Sequence, residues 1–127
     1  VHKTFLKTAA FLGALGVILG AFGAHQLKSM LSESVVLIFE TAVRYMLFHV
    51  FALIAVAILY QQFPNKLLKS AGIFFIVGII LFSGSLFILT YKEALVLPGL
   101  KWAGPITPLG GACFIAGWIF LAFGIKK

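Results

Sequence analysis

Four apolar runs, each about as long as a bilayer is thick, constrain this sequence more than any other feature. They lie at roughly 8–24, 41–60, 70–91 and 108–125, and the helices that contain them are expected over roughly 8–24, 35–60, 68–91 and 108–125. A helix rises 1.5 Å per residue, so about 20 apolar residues cross a hydrocarbon core of roughly 30 Å. Only 10% of the 127 residues are charged, whereas a soluble domain carries roughly 25%. The sequence therefore predicts an integral membrane protein, with residues 1–127 forming a single transmembrane domain of four helices.

The connections between the runs predict how the helices are arranged. The short segment QQFPNK contains Pro64 and Asn65, which break helices, so helices 2 and 3 should form an antiparallel hairpin. The longer connection from Lys92 to Thr107 is rich in proline and glycine and predicts a folded cap. Thr107 and Pro108 are typical of an N-cap and a first helical residue, here of helix 4. The expected fold class is all-α, an antiparallel four-helix bundle.

The first run has a second interpretation. Lys3 and Lys7 precede it and small residues lie just before Ala24, a pattern also typical of a signal peptide. We expect a retained spanning helix instead. Beyond it, Leu27 and Met30 recur at helical spacing and predict a short interfacial helix before helix 2.

The lysines predict orientation. With four crossings, both chain ends and the second connection share a side, which carries Lys3, Lys7, Lys66, Lys69, Lys126 and Lys127. The other side carries Lys28, Lys92 and Lys101, offset by Glu33 and Glu93. The positive-inside rule then predicts a multi-pass protein of the plasma (inner) membrane with both termini cytoplasmic. The net charge of +7 is spread between apolar runs, which favours the lipid bilayer over nucleic acid as partner.

Four glycines in helix 1 predict a packing face, and they are Gly13, Gly16, Gly20 and Gly23. Gly16 and Gly20 form a GxxxG pair, at which we expect no larger side chain to fit. The sequence leaves open whether the partner is a helix of the same chain or of another protomer. His25 follows this face, and we interpret it as marking the membrane interface, with a ligand role as the alternative.

Helix 2 carries the most unusual polar residues. Glu40 and Arg44 are four apart, the favourable order for a helical ion pair, and lie near its outer end. His49 is roughly 13 Å further along the helix than Glu40. An imidazole at that depth should face inward and find a hydrogen-bond partner, whether its role is functional or structural. Tyr45 lies one turn away on the same face.

Two serines in helix 3 complete a candidate polar cluster of Tyr45, His49, Ser83 and Ser85. Ser83 and Ser85 lie near the expected depth of His49. At a spacing of two they point in different directions, so at most one can face the imidazole. Serines in membrane helices often bond to their own backbone instead.

Several motifs together resemble one family. In chain order they are GAFGAH at Gly20–His25, YMLFH at Tyr45–His49, FSGSLF at Phe82–Phe87, and PITPLGG followed by GW at Gly117–Trp118. Over nearly the whole chain, the sequence resembles the YgdD/YwdK family, domain of unknown function 423. The resemblance implies a small multi-pass membrane protein, of bacteria or mitochondria, without an established activity. This chain has Met46 where the family often has Gln and Phe87 where it often has Tyr, so the resemblance implies no polar role there.

The motifs of known chemistry are absent from the sequence. It contains no HExxH, no glycine-rich phosphate loop, no nucleophile elbow and no carboxylate pair within the apolar runs. Cys113 is the single cysteine, which excludes an intrachain disulfide and a cysteine metal site. We therefore expect no enzyme, no cofactor and no metal.

Three functions are compatible with these residues. We favour a structural or accessory component that binds a larger membrane complex. The second is a small homo-oligomeric channel or carrier with His49 and Arg44 facing a pore. The third is a lipid or quinone binder with an outer-leaflet pocket around Tyr45, His49, Ser83 and the proline-rich loop between helices 3 and 4.

Overall fold

Four long helices make up the fold. In the computed structural model, which describes residues 1–96, 99 and 101–126, they are α1 (Lys3–Met30), α2 (Glu33–Leu59), α3 (Lys66–Ala94) and α4 (Ala103–Gly124). The shortest has 22 residues and is therefore about 33 Å long, enough to cross a hydrocarbon core of roughly 30 Å. All four are long and apolar enough to span a membrane. The predicted all-α fold with four spanning helices is confirmed.

Hydrogen bonds at the helix ends bring both ends of the described chain to one face. The backbone N–H of His2 donates to the Ala57 carbonyl, near the end of α2, at 2.8 Å. The Asn65 side chain accepts from two N–H groups in the first turn of α3 and donates to the Gly124 carbonyl at 2.8 Å. We call this face, with His2, Asn65 and Gly124, the terminal face. The opposite face, with the α1–α2 link at residues 31–32, is the loop face.

The central helices are α2 and α3, with α1 packed against α2 and α4 against α3. In the most apolar stretch of α2, 50% of residues are buried within the protein, but only 17% in α1 and in α4. The main apolar core contains Phe5, Ala9, Met46, Val50, Ala52, Leu53, Val56, Ala57, Leu68, Ala71, Phe75, Ile79 and Phe114. The outer helices α1 and α4 therefore turn most of their surface away from the protein.

Two of the helices contain a π-helical turn, at Gly23–Leu27 in α1 and at Ile79–Ser83 in α3. Such a turn inserts an extra residue without ending the helix. Helix α1 continues through the π turn to Met30, and the prediction that it ends near residue 24 and is followed by a separate interfacial helix is wrong. Leu27, at the end of the π turn, is buried against α2.

The start of α4 also differs from the sequence prediction. The helix begins at Ala103, so Pro108 lies inside it and Thr107 is not its N-cap. The Thr107 hydroxyl instead lies 2.6 Å from that of Ser85 on α3, which gives it a partner within the bundle. Of the predicted folded cap, positions 97, 98 and 100 lie outside the described residues, as does Lys127.

Candidate functional site

His49 is the centre of the polar groups inside the bundle. It is 5% exposed, which confirms that it faces inward. Its Nδ1 lies 2.7 Å from the Tyr45 carbonyl oxygen, and its Nε2 lies 3.1 Å from the Trp118 Nε1 on α4. An indole N–H can only donate, so Nε2 must accept and the proton must lie on Nδ1, which donates to the carbonyl. The hydrogen bonds thus define one neutral tautomer with both nitrogens satisfied.

Aromatic rings surround this imidazole. The Phe114 ring stacks on it at a centroid distance of 3.5 Å and an angle of 9°, and the Phe75 ring lies 5.5 Å away. The rings reach it because two helix positions lack a side chain. A Cβ on Gly78 would collide with Phe114, and a Cβ on Gly117 would lie 2.7 Å from the Phe75 ring.

The predicted partners of His49 are only partly correct. Tyr45 does bond to it, but through its backbone carbonyl, while its partly exposed ring packs on Phe82 at 4.9 Å. Neither serine contacts the imidazole nitrogens among the described residues. Trp118, which the sequence showed only as part of the GW motif, takes that place. An indole at a GW step, able to donate one hydrogen bond, was the signal available in the sequence.

The two serines connect helices instead. Ser83 is buried and donates to the Ala42 carbonyl on α2 at 2.7 Å. Ser85 donates to the Phe82 carbonyl of its own helix, and its hydroxyl also contacts that of Thr107 on α4. The extra residue of the π turn that ends at Ser83 changes the rotational phase of α3. A regular 3.6-residue period therefore does not give the directions in which these serines point.

The predicted ion pair between Glu40 and Arg44 is also wrong. The Glu40 carboxylate lies 3.7 Å from the Lys28 ammonium, and within the described chain no carboxylate is within 4.0 Å of Arg44. Lys28 reaches Glu40 because the π turn extends α1 to Met30. His25 lies exposed within that turn.

Next to this pair lie two cavities between α1 and α2. The outer one, of about 390 Å³, is lined by Lys28, Leu31, Glu33, Val36, Leu37 and Glu40. The inner one, of about 340 Å³, is lined by Gly20, Gly23, Phe39, Glu40, Val43 and Arg44. Both share Glu40, and we call them together the α1–α2 groove. The lipid or quinone pocket expected around Tyr45, His49 and Ser83 does not coincide with them.

The glycine face of α1 packs against α2 of the same chain. A Cβ would meet Val50 from Gly13, Leu47 from Gly16, Val43 from Gly20 and Phe39 from Gly23. The approach is 2.6 Å at Gly16 and 2.7 Å at Gly23, but an ordinary 3.5 Å at Gly20. The packing face is therefore correct, whereas the tightest positions are Gly16 and Gly23 rather than the GxxxG pair.

The polar interior is closed, in the sense that its buried polar groups are hydrogen-bonded within the protein. In the described part of the chain, every buried side-chain nitrogen or oxygen atom has a hydrogen-bond partner. No group of three His, Cys, Asp or Glu side chains among those residues is arranged to hold a metal ion. Cys113 lies half-buried on α4.

The comparisons with known proteins agree with this architecture. A family model described as a protein of unknown function, DUF423, matches residues 19–111. The chain is 38% identical to a UPF0382 membrane protein of Haemophilus influenzae, over 100% of this chain and 97% of the relative. It is 36% identical to the UPF0382 membrane protein YwdK of Bacillus subtilis, over 98% of both. It is 34% identical to the UPF0382 inner membrane protein YgdD of Escherichia coli, over 96% of this chain and 88% of the relative.

No solved structure is significantly similar to the chain. The motif resemblance and the family match nevertheless agree, and the relatives extend over nearly the full length of the sequence. The chain is therefore a membrane protein and belongs to the DUF423 family.

Proposed function

We propose that this protein is a structural or accessory component of the inner membrane, which binds a larger membrane complex and catalyses no reaction itself. The closed polar interior is the observation that carries this proposal. His49 uses both ring nitrogens within the bundle, and Ser83 and Ser85 are hydrogen-bonded to neighbouring groups. A general base or a ligand needs a free lone pair, and a conducting path needs polar groups accessible to water. The described interior offers neither.

The outer helices supply the surfaces for such a partner. Both α1 and α4 are held against the central pair by close glycine contacts, so each presents a fixed outward face. Large apolar side chains cover those faces, namely Phe11, Val17, Ile18 and Phe22 on α1, and Leu109, Ile115, Trp118, Ile119 and Phe123 on α4. Association between membrane helices depends on packing between preformed surfaces. A rigid small bundle with two outward faces suits that role.

The channel alternative is less well supported. It requires His49 and Arg44 to face one pore, but His49 lies between Phe114 and Trp118, whereas Arg44 is exposed beside the α1–α2 groove. A single lumen would not contain both. Oligomerisation of the chain is one outcome of the experiment below.

The proposal includes an orientation. The terminal face carries Lys3, Lys7, Lys66, Lys69 and Lys126, and the loop face carries Lys28, Lys92 and Lys101 with Glu33 and Glu93. This excess of lysine supports a cytoplasmic terminal face.

Site-specific photocrosslinking in cells tests the accessory role. A photoreactive phenylalanine analogue replaces Phe11 on α1 or Phe123 on α4, which are 77% and 69% exposed, and the fully buried Phe75 serves as the matched control. We expect one of the exposed positions to form a covalent adduct with one defined membrane protein, and Phe75 to form none. Deleting this chain should then reduce assembly of that protein's complex. Adducts only between copies of this chain, or unchanged assembly after deletion, would overturn the accessory role.

A further inference from the structure

The α1–α2 groove combines charge and apolar surface at membrane depth. Its inner cavity runs alongside the line where Gly20 and Gly23 of α1 pack against Val43 and Phe39 of α2. Its outer cavity adds Leu31, Val36 and Leu37 to a rim of charged side chains. The two adjoin at Glu40. A ligand that fills both must therefore be amphipathic.

Arg44 lies deeper than a surface charge. At 1.5 Å per residue it is about 16 Å along α2 from Glu33, and the 27-residue helix is about 40 Å long. A centred hydrocarbon core of roughly 30 Å leaves about 5 Å of helix beyond each edge, so the Arg44 backbone is about 11 Å inside. Charged groups at that depth are costly and usually paired.

The protein itself does not pair this guanidinium. The neighbouring carboxylate of Glu40 contacts Lys28, and within the described residues no other carboxylate is within 4.0 Å of Arg44. A guanidinium presents a planar fork of N–H donors that matches two phosphate oxygens. The anion that suits this position is therefore a phosphodiester from the surrounding bilayer.

The outer cavity has the opposite charge preference. Lys28 and Glu40 offset each other, which leaves the carboxylate of Glu33 at the rim, about 16 Å along the helix from Arg44 and nearer the headgroup layer. A ligand with a negative group held inside and a positive group held outside complements this order. Phosphatidylethanolamine has that arrangement, with an ammonium group beyond its phosphodiester.

We propose that the α1–α2 groove is a binding site for one phosphatidylethanolamine molecule of the loop-face leaflet. Arg44 extends its side chain toward the headgroup layer and holds the phosphodiester there, and the glycerol and first acyl carbons lie deeper, against Gly20, Gly23 and Val43. The ammonium group extends through the outer cavity toward Glu33. This site is independent of the accessory role, because it lies between two helices of one chain and needs no protein partner.

Native mass spectrometry of the purified full-length protein tests the site. The protein is released from bilayers with equal parts of phosphatidylethanolamine, phosphatidylcholine and phosphatidylglycerol. We expect one retained phosphatidylethanolamine per chain. Retention should fall by roughly tenfold in Arg44→Gln, because the phosphodiester loses its bidentate donor. Lys69→Gln, which removes an exposed lysine from the terminal face, should retain lipid like the wild type. Equal loss in both variants, or no retained lipid in the wild type, would overturn the site.

Two further measurements keep the result decisive. In Glu33→Gln we expect lipid still to be retained but the preference for phosphatidylethanolamine over the other two to disappear; an unchanged preference would overturn the headgroup assignment. On the unaltered protein, a phosphatidylethanolamine with a photoreactive acyl chain should crosslink to α1 and α2 near Gly20 and Val43. Adducts confined to α3 or α4 would place the lipid elsewhere and overturn the proposal, whatever the stability of the variants.

Discussion

Some buried polar side chains in this bundle depend on hydrogen-bond partners from another helix. His49 bonds one turn back within α2, but its second nitrogen depends on the Trp118 indole of α4. Trp118 in turn is 46% exposed, so it has a polar N–H directed inward and an apolar ring directed outward. This is the usual compromise for a tryptophan in a membrane protein. The hydrogen bond between His49 and Trp118 joins α2 to α4 beside the rings of Phe75 and Phe114.

A double-mutant cycle on this pair should show coupling. His49→Phe removes the acceptor and Trp118→Phe removes the donor, so the second change should cost less once the first is present. We expect a coupling of about 0.6–1.7 kcal/mol in the free energy of unfolding, as found for hydrogen bonds between membrane helices. Detergent unfolding followed by far-ultraviolet circular dichroism measures it. The same cycle with Trp102→Phe, an exposed indole near the loop face, should be additive. Additivity at Trp118 would contradict the hydrogen bond.

Much of this residue-level arrangement could be expected from the sequence, and the exceptions have a common cause. The depth of His49 predicted its inward orientation, since hydrocarbon cannot satisfy an imidazole. The choice of partner could not be predicted, because it depends on the rotational phase of α3 and α4. The π turn at Ile79–Ser83 shifts that phase and directs Ser83 to the Ala42 carbonyl.

Helices as elements were easier to place than their ends. Apolar length defined four spans, but hydropathy does not show where a helix stops once it leaves the hydrocarbon. Helix α1 extends to Met30 and so includes Lys28. The ammonium group of Lys28 contacts the Glu40 carboxylate on α2. At α4, proline and glycine at the start suggested a loop. Pro105 lies in the first helical turn, where a missing N–H costs little because such groups have no partner within the helix.

At Gly110, α4 packs directly against the backbone of α3. A Cβ on Gly110 would lie 2.6 Å from the Phe82 Cα, whereas a Cβ on the adjacent Gly111 would be 3.9 Å from the Phe82 ring. Backbone cannot move aside as a side-chain tip can. We expect Gly110→Ala to destabilise the bundle by about 1–3 kcal/mol through overpacking, and Gly111→Ala to change stability little. Thermal melts in the same detergent compare the two, and equal melting temperatures would mean that the close approach is absent.

At the scale of the whole molecule, packing and charge give the same division into two faces. Hydrogen bonds from His2 and Asn65 bring both chain ends to the terminal face, and lysines are concentrated there. Both chain ends lie on one face because the chain crosses the bundle an even number of times, as the four apolar runs predicted. Which face meets the cytoplasm is set during membrane insertion and not by packing, and the lysine bias is the sequence feature that governs it.

Cysteine labelling tests this orientation and the even number of crossings together. In a Cys113→Ser background, which has no other cysteine, single cysteines replace Gln62 and Lys126 on the terminal face or Ser34 on the loop face, all exposed. A membrane-impermeant maleimide should label Ser34→Cys in spheroplasts, because the lysine-poor face is translocated, and the other two only after permeabilisation. The reverse pattern would contradict the orientation while leaving the fold intact. Labelling of Gln62→Cys and Lys126→Cys from opposite sides would contradict the bundle itself, since Asn65 and Gly124 could then share no hydrogen bond.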